Sequence, residues 1–187
     1  MRRYWFPKHY SDEVQRLRVP SGFVLVAAFT WWAAPSPTSL YAGLPIAILG
    51  LLLRAWAAGH LAKNEELAVS GPYAWVRNPL YLGTLLVAAG LAIAAGQIGL
   101  AILFGVVFLF VYFPAMELEE QHLRNLFPDY AAYAQRVPML LPTRRPAVSI
   151  RSFRFSLYMR NQEYQALAGL LLGSLYLIWR AGLLPLP

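Results

Sequence analysis

Apolar residues run along the chain in five blocks, each closed by proline, glycine or charge. The first runs from about Pro20 to Ala34 and stops at Pro35-Ser36-Pro37, where proline ends a helix. It falls short of the roughly 20 residues a membrane crossing takes, so tilt, local thinning or an extension back through Leu17 is expected. The second covers about Leu40 to Leu61, with Pro45 tolerable near its start. The third begins at Pro79 and reaches Ala95. Gly96-Gln97 then turns tightly into a fourth, Ile98 to Met116, so these two are expected to form an antiparallel hairpin. The last runs from about Ala166 to Leu184. In lipid each segment must satisfy its own backbone hydrogen bonds, so helices are expected throughout, and five segments are too few for a barrel. The predicted fold is all-α, one membrane domain over 1–187 with about five transmembrane helices. The third block is rich in Gly and Ala (Gly83, Ala88, Ala89, Gly90, Ala92, Ala94, Ala95). Close central packing explains that richness, and so does the general composition of membrane helices.

Composition supports the same picture. Of 187 residues 58% are apolar and 13% charged, more apolar surface than one soluble core can hide. The charges crowd into the N-terminal stretch and into Glu117 to Glu163. A net charge of +7 reads as basic flanks that set topology and touch anionic lipid, not as a nucleic-acid surface. Arg2, Arg3, Lys8, Arg16 and Arg18 precede the first block, and Lys63 and Arg77 lie between the second and third. Arg124, Arg136, Arg144, Arg145, Arg151, Arg154 and Arg160 lie between the fourth and fifth, whereas Pro35–Ser39 and Gly96-Gln97 carry no charge. With five crossings this predicts a multi-pass protein of the inner (plasma) membrane, N-terminus cytoplasmic and C-terminus outside. Arg180 alone sits on the wrong side. Met1 to Val19 is polar and aromatic, without the pattern of a cleaved signal. The absence of cysteine excludes disulfides, thiolate metal sites and cysteine nucleophiles.

Chemistry is then expected in two cytoplasmic loops. In the first, Gly59 to Asn78, Gly71-Pro72-Tyr73 is a turn and Pro79 opens the next helix, whose free N–H groups favour an anion. Arg77 and Asn78 beside it can hold a carboxylate; alternatively Arg77 snorkels to lipid phosphate. The second loop begins with Glu117, Glu119 and Glu120, acids that the helix dipole disfavours at a C-terminus. If the helix continues, Glu117, Glu120 and Arg124 share one face and Glu119 lies on another. These acids serve either as ion-pair partners or as the anion a bound cation needs. His60 and His122 read as structural, and no spacing suggests a metal site. Phe127 to Tyr133 is expected to be a short interfacial helix with its tyrosines in a head-group belt. Phe153, Phe155, Leu157 and Tyr158, interleaved with Arg151, Arg154 and Arg160, read as a basic interfacial stretch.

Gly71-Pro72-Tyr73-Ala74-Trp75-Val76-Arg77-Asn78-Pro79-Leu80-Tyr81-Leu82-Gly83 resembles the Gly-Pro-Tyr … Arg-His-Pro-x-Tyr-x-Gly signature of isoprenylcysteine carboxyl methyltransferases and related phospholipid methyltransferases. Glu119-Glu120, Leu123, Phe127, Tyr130, Tyr133, Arg136-Val137-Pro138 and Pro142 resemble the second stretch of that family, in order. The resemblance covers a methyltransferase-like core over 54–142. It leaves 147–187 as an interfacial segment and an extra C-terminal helix. It implies an S-adenosylmethionine site built from the two loops, and a membrane-open tunnel for a lipophilic or lipid acceptor. By position it implies that Leu67, Ala68, Tyr73, Arg77, Asn78, Pro79, Leu80, Tyr81 and Glu120 bind the cofactor. Glu119 would stand at the acceptor end, as the base if the acceptor is an amine.

Two departures bear on substrate. Asn78 replaces the family histidine, so it can donate and accept a hydrogen bond but not shuttle a proton. Ala115 stands where prenylcysteine methyltransferases place an arginine that grips the substrate carboxylate. Other readings are an NADPH-dependent membrane reductase on a similar scaffold and a non-enzymatic membrane protein. The first is disfavoured by the few basic residues in the first loop. Transport is disfavoured because no ionisable residue lies mid-span, Arg54 being nearest.

Overall fold

The computed structural model describes residues 5–143 and 151–184. Arg2, Arg3, Arg144, Arg145 and the start of the tail at 147 lie outside the described residues, as do the side chains of Lys8 and Arg18. All five apolar blocks form helices, and no strand occurs among the described residues. They are α1 (Lys8–Trp32), α2 (Pro37–Ala58), α3 (Pro79–Ala94), the continuous run α4 (Ile98–Val107) to α5 (Phe113–Leu126), and α8 (Tyr164–Arg180). Shorter helices α6 (Tyr130–Arg136) and α7 (Phe155–Arg160) lie between α5 and α8. By length and composition two runs, Pro37–Ala58 and Ile98–Leu126, suffice to cross a membrane, while Val19–Trp32 and Pro79–Ala94 are shorter apolar helices. Large side chains on the outer faces (Phe23, Trp31, Tyr41, Leu49, Ile102, Leu172) are exposed, a surface suited to lipid.

The first helix does extend back through Leu17, and further than that. It begins at Lys8 and carries Pro20 inside. Its N-terminal half is held against α5: Val14 and Ser11 are buried, and Glu117 accepts hydrogen bonds from the Trp5 and Phe6 N–H groups at 3.1 and 3.4 Å. A π-helical turn, Phe108–Tyr112, joins α4 to α5 just before Pro114. Proline cannot donate to the carbonyl four residues back. That carbonyl, of Phe110, instead accepts from the Tyr10 hydroxyl at 2.8 Å.

The close packing expected of α3 is against α2. Gly43, Ala47 and Gly50 of α2 face Gly83, Gly90 and Ala94 of α3. A Cβ on Gly43 would lie 2.3 Å from the Ala94 nitrogen, and one on Gly90 would lie 2.4 Å from the Ala47 nitrogen. Backbone thus meets backbone, which only small residues permit. The two uncharged connections also meet: Ala34 N–H donates to the Ala95 carbonyl at 2.9 Å, and the Ser39 hydroxyl donates to the Ala94 carbonyl at 2.9 Å. Ser36 and Ser39 also form a reciprocal cap at the start of α2. Gly96 turns the chain with φ +68°, a left-handed value glycine takes without strain.

Candidate active site

Helix α5 does continue past the acid cluster, so the cluster is not at a helix end. Glu117 and Glu120 are buried, and Glu119, on another face, borders a cleft. Glu120 is gripped by the first loop. Arg77 binds it in bidentate fashion, Nε to Oε1 at 2.8 Å and Nη2 to Oε2 at 3.0 Å. The remaining Arg77 donor, Nη1, reaches the carbonyls of Ala134 and Val137 at 2.8 and 2.9 Å. The Asn78 amide donates to Glu120 Oε1 at 3.0 Å and to the Met139 carbonyl at 3.2 Å. Backbone bonds from Arg77 N–H to Pro138 and from Asn78 N–H to Met139 lace the two loops together. Arg77 is 5% exposed, so it neither snorkels to lipid nor presents a free guanidinium. It fastens one loop to the other.

The tyrosines of the second loop are not a head-group belt. Tyr130 and Tyr133 are buried with Val137, and the Tyr133 hydroxyl donates to the Tyr73 carbonyl at 2.8 Å. Their burial follows from α6 packing under the first loop, where Leu67 joins the same cluster. Burial pushes the phenols of Tyr73, Tyr130 and Tyr133 well above the ordinary tyrosine range. In the basic stretch after 150 the arginines have acidic partners and Phe153 and Phe155 stay exposed. Arg151 and Arg154 pair with Glu66 at 2.5 and 2.9 Å, Arg160 pairs with Glu65, and Leu157 is buried.

Between the loops lies a cleft of about 160 Å³. Of the residues expected to act, Tyr73, Arg77, Asn78, Pro79, Leu80, Tyr81 and Glu119 border it. Glu120 lies behind, holding Arg77 and Asn78, whereas Leu67 and Ala68 are not in its wall. Leu61, Lys63, Asn64, His122 and Leu123 complete the lining and were not anticipated. His122 was findable: it follows Glu119 by three residues and so shares its face once α5 continues. Asn64 has φ +62°, and no neighbouring glycine or proline announces that turn. Further along α3, an apolar cleft of about 300 Å³ is walled by Thr84, Leu85, Ala88, Phe104, Phe108 and Tyr112. A third, of about 510 Å³, opens between α1 and α8 and shares Leu25 and Phe104 with it.

A phospholipid methyltransferase family profile matches residues 39–130, about half of the chain. The cobalt-zinc-cadmium resistance protein CzcN of Cupriavidus metallidurans is 32% identical over 59% of this chain and 51% of its own. The protein-S-isoprenylcysteine O-methyltransferase of Schizosaccharomyces pombe is 26% identical over 72% and 59%. Methanethiol S-methyltransferase 1 of Bradyrhizobium diazoefficiens is 41% identical over 39% and 25%. The chain belongs to the superfamily of phospholipid and isoprenylcysteine carboxyl methyltransferases. It spans about half the length of CzcN and less than two thirds of the other two relatives. No solved structure matches it significantly.

Proposed function

We propose that this chain is a multi-pass membrane methyltransferase that uses S-adenosylmethionine to methylate a lipophilic or lipid acceptor at the cytoplasmic face. In this reading all five apolar helices cross the bilayer, the N-terminus is cytoplasmic and the C-terminus outside. The observation that carries it is the polar cleft between the two loops, bordered by Glu119 and by the first turn of α3, the helix that also walls an apolar cleft further along.

The residues present suit the charged end of such a cofactor. The first N–H groups of α3, at Leu80 and Tyr81, suit its carboxylate, while Glu119 borders the cleft as the group for the acceptor. When bound, the cofactor supplies an electrophilic methyl group. A cleft of about 160 Å³ is smaller than the roughly 300–1,000 Å³ usual for small-molecule sites, so full binding requires the cleft to widen while the Arg77–Glu120 pair holds. Glu119 then takes the proton of an amine or thiol acceptor, or orients a carboxylate. Asn78 serves as a fixed amide: Glu120 and Met139 hold it, and it moves no proton. Tyr73 remains a neutral phenol, because burial raises it first and the Tyr133 and Glu119 neighbours add to that. The acceptor's apolar part lies along Leu85 and Ala88 of α3, facing Phe108 of the α4–α5 run.

Binding of NADPH fits less well. Arg77 is committed to Glu120, which leaves Lys63 as the remaining basic side chain in the cleft wall for several phosphates. Metal handling, suggested by the name of one relative, lacks a donor set: among the described residues no group of three His, Asp or Glu is placed to hold an ion. The test is Glu119→Gln. Transfer of a labelled methyl group into the hydrophobic fraction of the host membrane should be lost, with S-adenosylhomocysteine affinity changed less than about threefold, under the worth of one typical hydrogen bond. Undiminished transfer would remove Glu119 from the acceptor site.

A further inference from the structure

His60 lies outside the cleft wall, and its ring makes an unusual pair of contacts. It directly follows the end of α2 and is 7% exposed. Nδ1 is 2.9 Å from the Trp56 carbonyl oxygen, and Nε2 is 3.1 Å from the Arg151 carbonyl oxygen. A carbonyl accepts and cannot donate. Each contact therefore needs an N–H on the ring, and a neutral imidazole has one. Only the doubly protonated ring satisfies both. The neutral ring sets lone pair against lone pair at one of them, in a buried place where an unmet carbonyl is costly.

The two carbonyls belong to separate parts of the chain. Trp56 is in the last turn of α2, while Arg151 leads the C-terminal segment that runs into α7 and α8. That segment is strapped over the start of the first loop. Arg154 N–H donates to the Gly59 carbonyl at 2.9 Å, and the Asn161 amide donates to the carbonyls of Ala58 and Leu61, both at 2.9 Å. The Phe153 ring covers Gly59, where a Cβ would lie 2.2 Å from it. On the opposite side, a Cβ on Gly71 would lie 2.7 Å from the His60 ring. The strap thus bears on residues 58–61, directly before Leu61, Lys63 and Asn64 of the cleft wall.

Of the charged groups on the surrounding elements, Lys63 stands in the cleft wall and the others are paired with one another. Arg151 and Arg154 of the strap lie on Glu66, Arg160 of α7 on Glu65, and Arg54 of α2 on Glu163. The turn at Gly71–Ala74 contributes Tyr73, a raised phenol. We propose that His60 is a proton-dependent clasp: doubly protonated, it holds the C-terminal segment against the first loop and positions the loop residues of the cleft, and it lets go as pH rises. It is a positioning residue, not one that meets substrate. The clasped state holds a proton that the released, neutral state has lost, so clasping is favoured by falling pH and lost with rising pH. Glu66 has the opposite sign. Its arginine partners hold its carboxyl low, and protonation there would release the strap only in acid.

The test uses the full chain in lipid nanodiscs with ¹⁵N-labelled histidine. The sequence has three histidines, so replacing His9 and His122 by Gln leaves His60 as the single signal. At pH 6 both ring nitrogens should carry hydrogen. Between pH 6 and 8.5, hydrogen-exchange protection of residues 58–64 and 151–161, corrected for intrinsic rates, should fall at least about tenfold, the worth of one charge-assisted hydrogen bond. In His60→Gln the response should be flat. A ring with one N–H at pH 6, or protection that does not change with pH in the wild-type chain, overturns the proposal. The wild-type titration decides the matter even if His60→Gln fails to fold. None of these readouts needs cofactor or methyl transfer, so failure of the clasp and failure of the methyltransferase reading are separate results.

Discussion

Replacing Glu120 with Gln removes one charge while keeping the shape of the side chain, and it isolates what fastens the two loops together. The Arg77 side chain is 2% exposed and that of Glu120 8%, with the bidentate contacts at 2.8 and 3.0 Å. Removing one partner of such a pair leaves a buried guanidinium without its counter-charge, at about 3–5 kcal/mol. Two features of the site reduce the loss. Arg77 Nη1 keeps its bonds to Ala134 and Val137, and the Gln carbonyl can still accept one hydrogen bond. The low end, about 3 kcal/mol, is therefore expected. For a chain of this size that corresponds to a fall in thermal midpoint of roughly 6–12 °C. Melting followed by tryptophan fluorescence in one detergent at pH 7 measures it. Glu119→Gln, one residue away but on the cleft, is the control and should stay within about 1 kcal/mol. If Glu120→Gln melts with the wild-type chain, or both variants fall equally, the pair does not hold the loops and the division of roles between neighbouring acids is wrong.

Other outcomes follow from the same geometry. Gly43→Leu should prevent close approach of α2 and α3, since even its Cβ would sit 2.4 Å from the Gly90 carbonyl oxygen; loss of a monodisperse size-exclusion peak would report it. Ser39→Ala should cost about 1 kcal/mol, because its hydroxyl no longer accepts from the Ser36 N–H or donates to the Ala94 carbonyl, while the Ser36 cap itself remains; a small fall in thermal midpoint measures it. The Arg151 hydrogen bond, with Arg154, holds the Glu66 carboxyl below its ordinary range. Its contribution to strap docking is therefore present above the ordinary carboxylate pKa and lost as pH falls through the lowered one. Exchange protection of 151–161 should drop in acid, and Glu66→Gln should abolish that acid-side change.

Hydrophobic blocks and their breakers made the helices readable, because an apolar run closed by proline, glycine or charge marks where a helix can begin and end. The hairpin at Gly96 was readable from the same breakers, whereas the Gly-rich face of α3 had two readings and the backbone contact with α2 decided between them. What sequence left open was decided by single long-range contacts. Pro20 suggested a helix start, yet α1 runs back to Lys8 because Glu117, more than a hundred residues away, anchors the N-terminal arm. Tyr130 and Tyr133 have the composition of an interfacial belt, and only the docking of α6 under the first loop buries them. Arg77 suited a carboxylate ligand equally well as a lipid phosphate, and the partner turned out to be Glu120 in the other loop. The strap had no local signal at all. Its arginines were visible, but Glu65 and Glu66 stand over eighty residues away.

Calorimetric titration of S-adenosylhomocysteine, with NADPH as the comparison, into the purified chain tests the central claim most directly. Saturable binding of S-adenosylhomocysteine, with no heat from NADPH, is the predicted result. Binding of NADPH alone, or of neither, would contradict it.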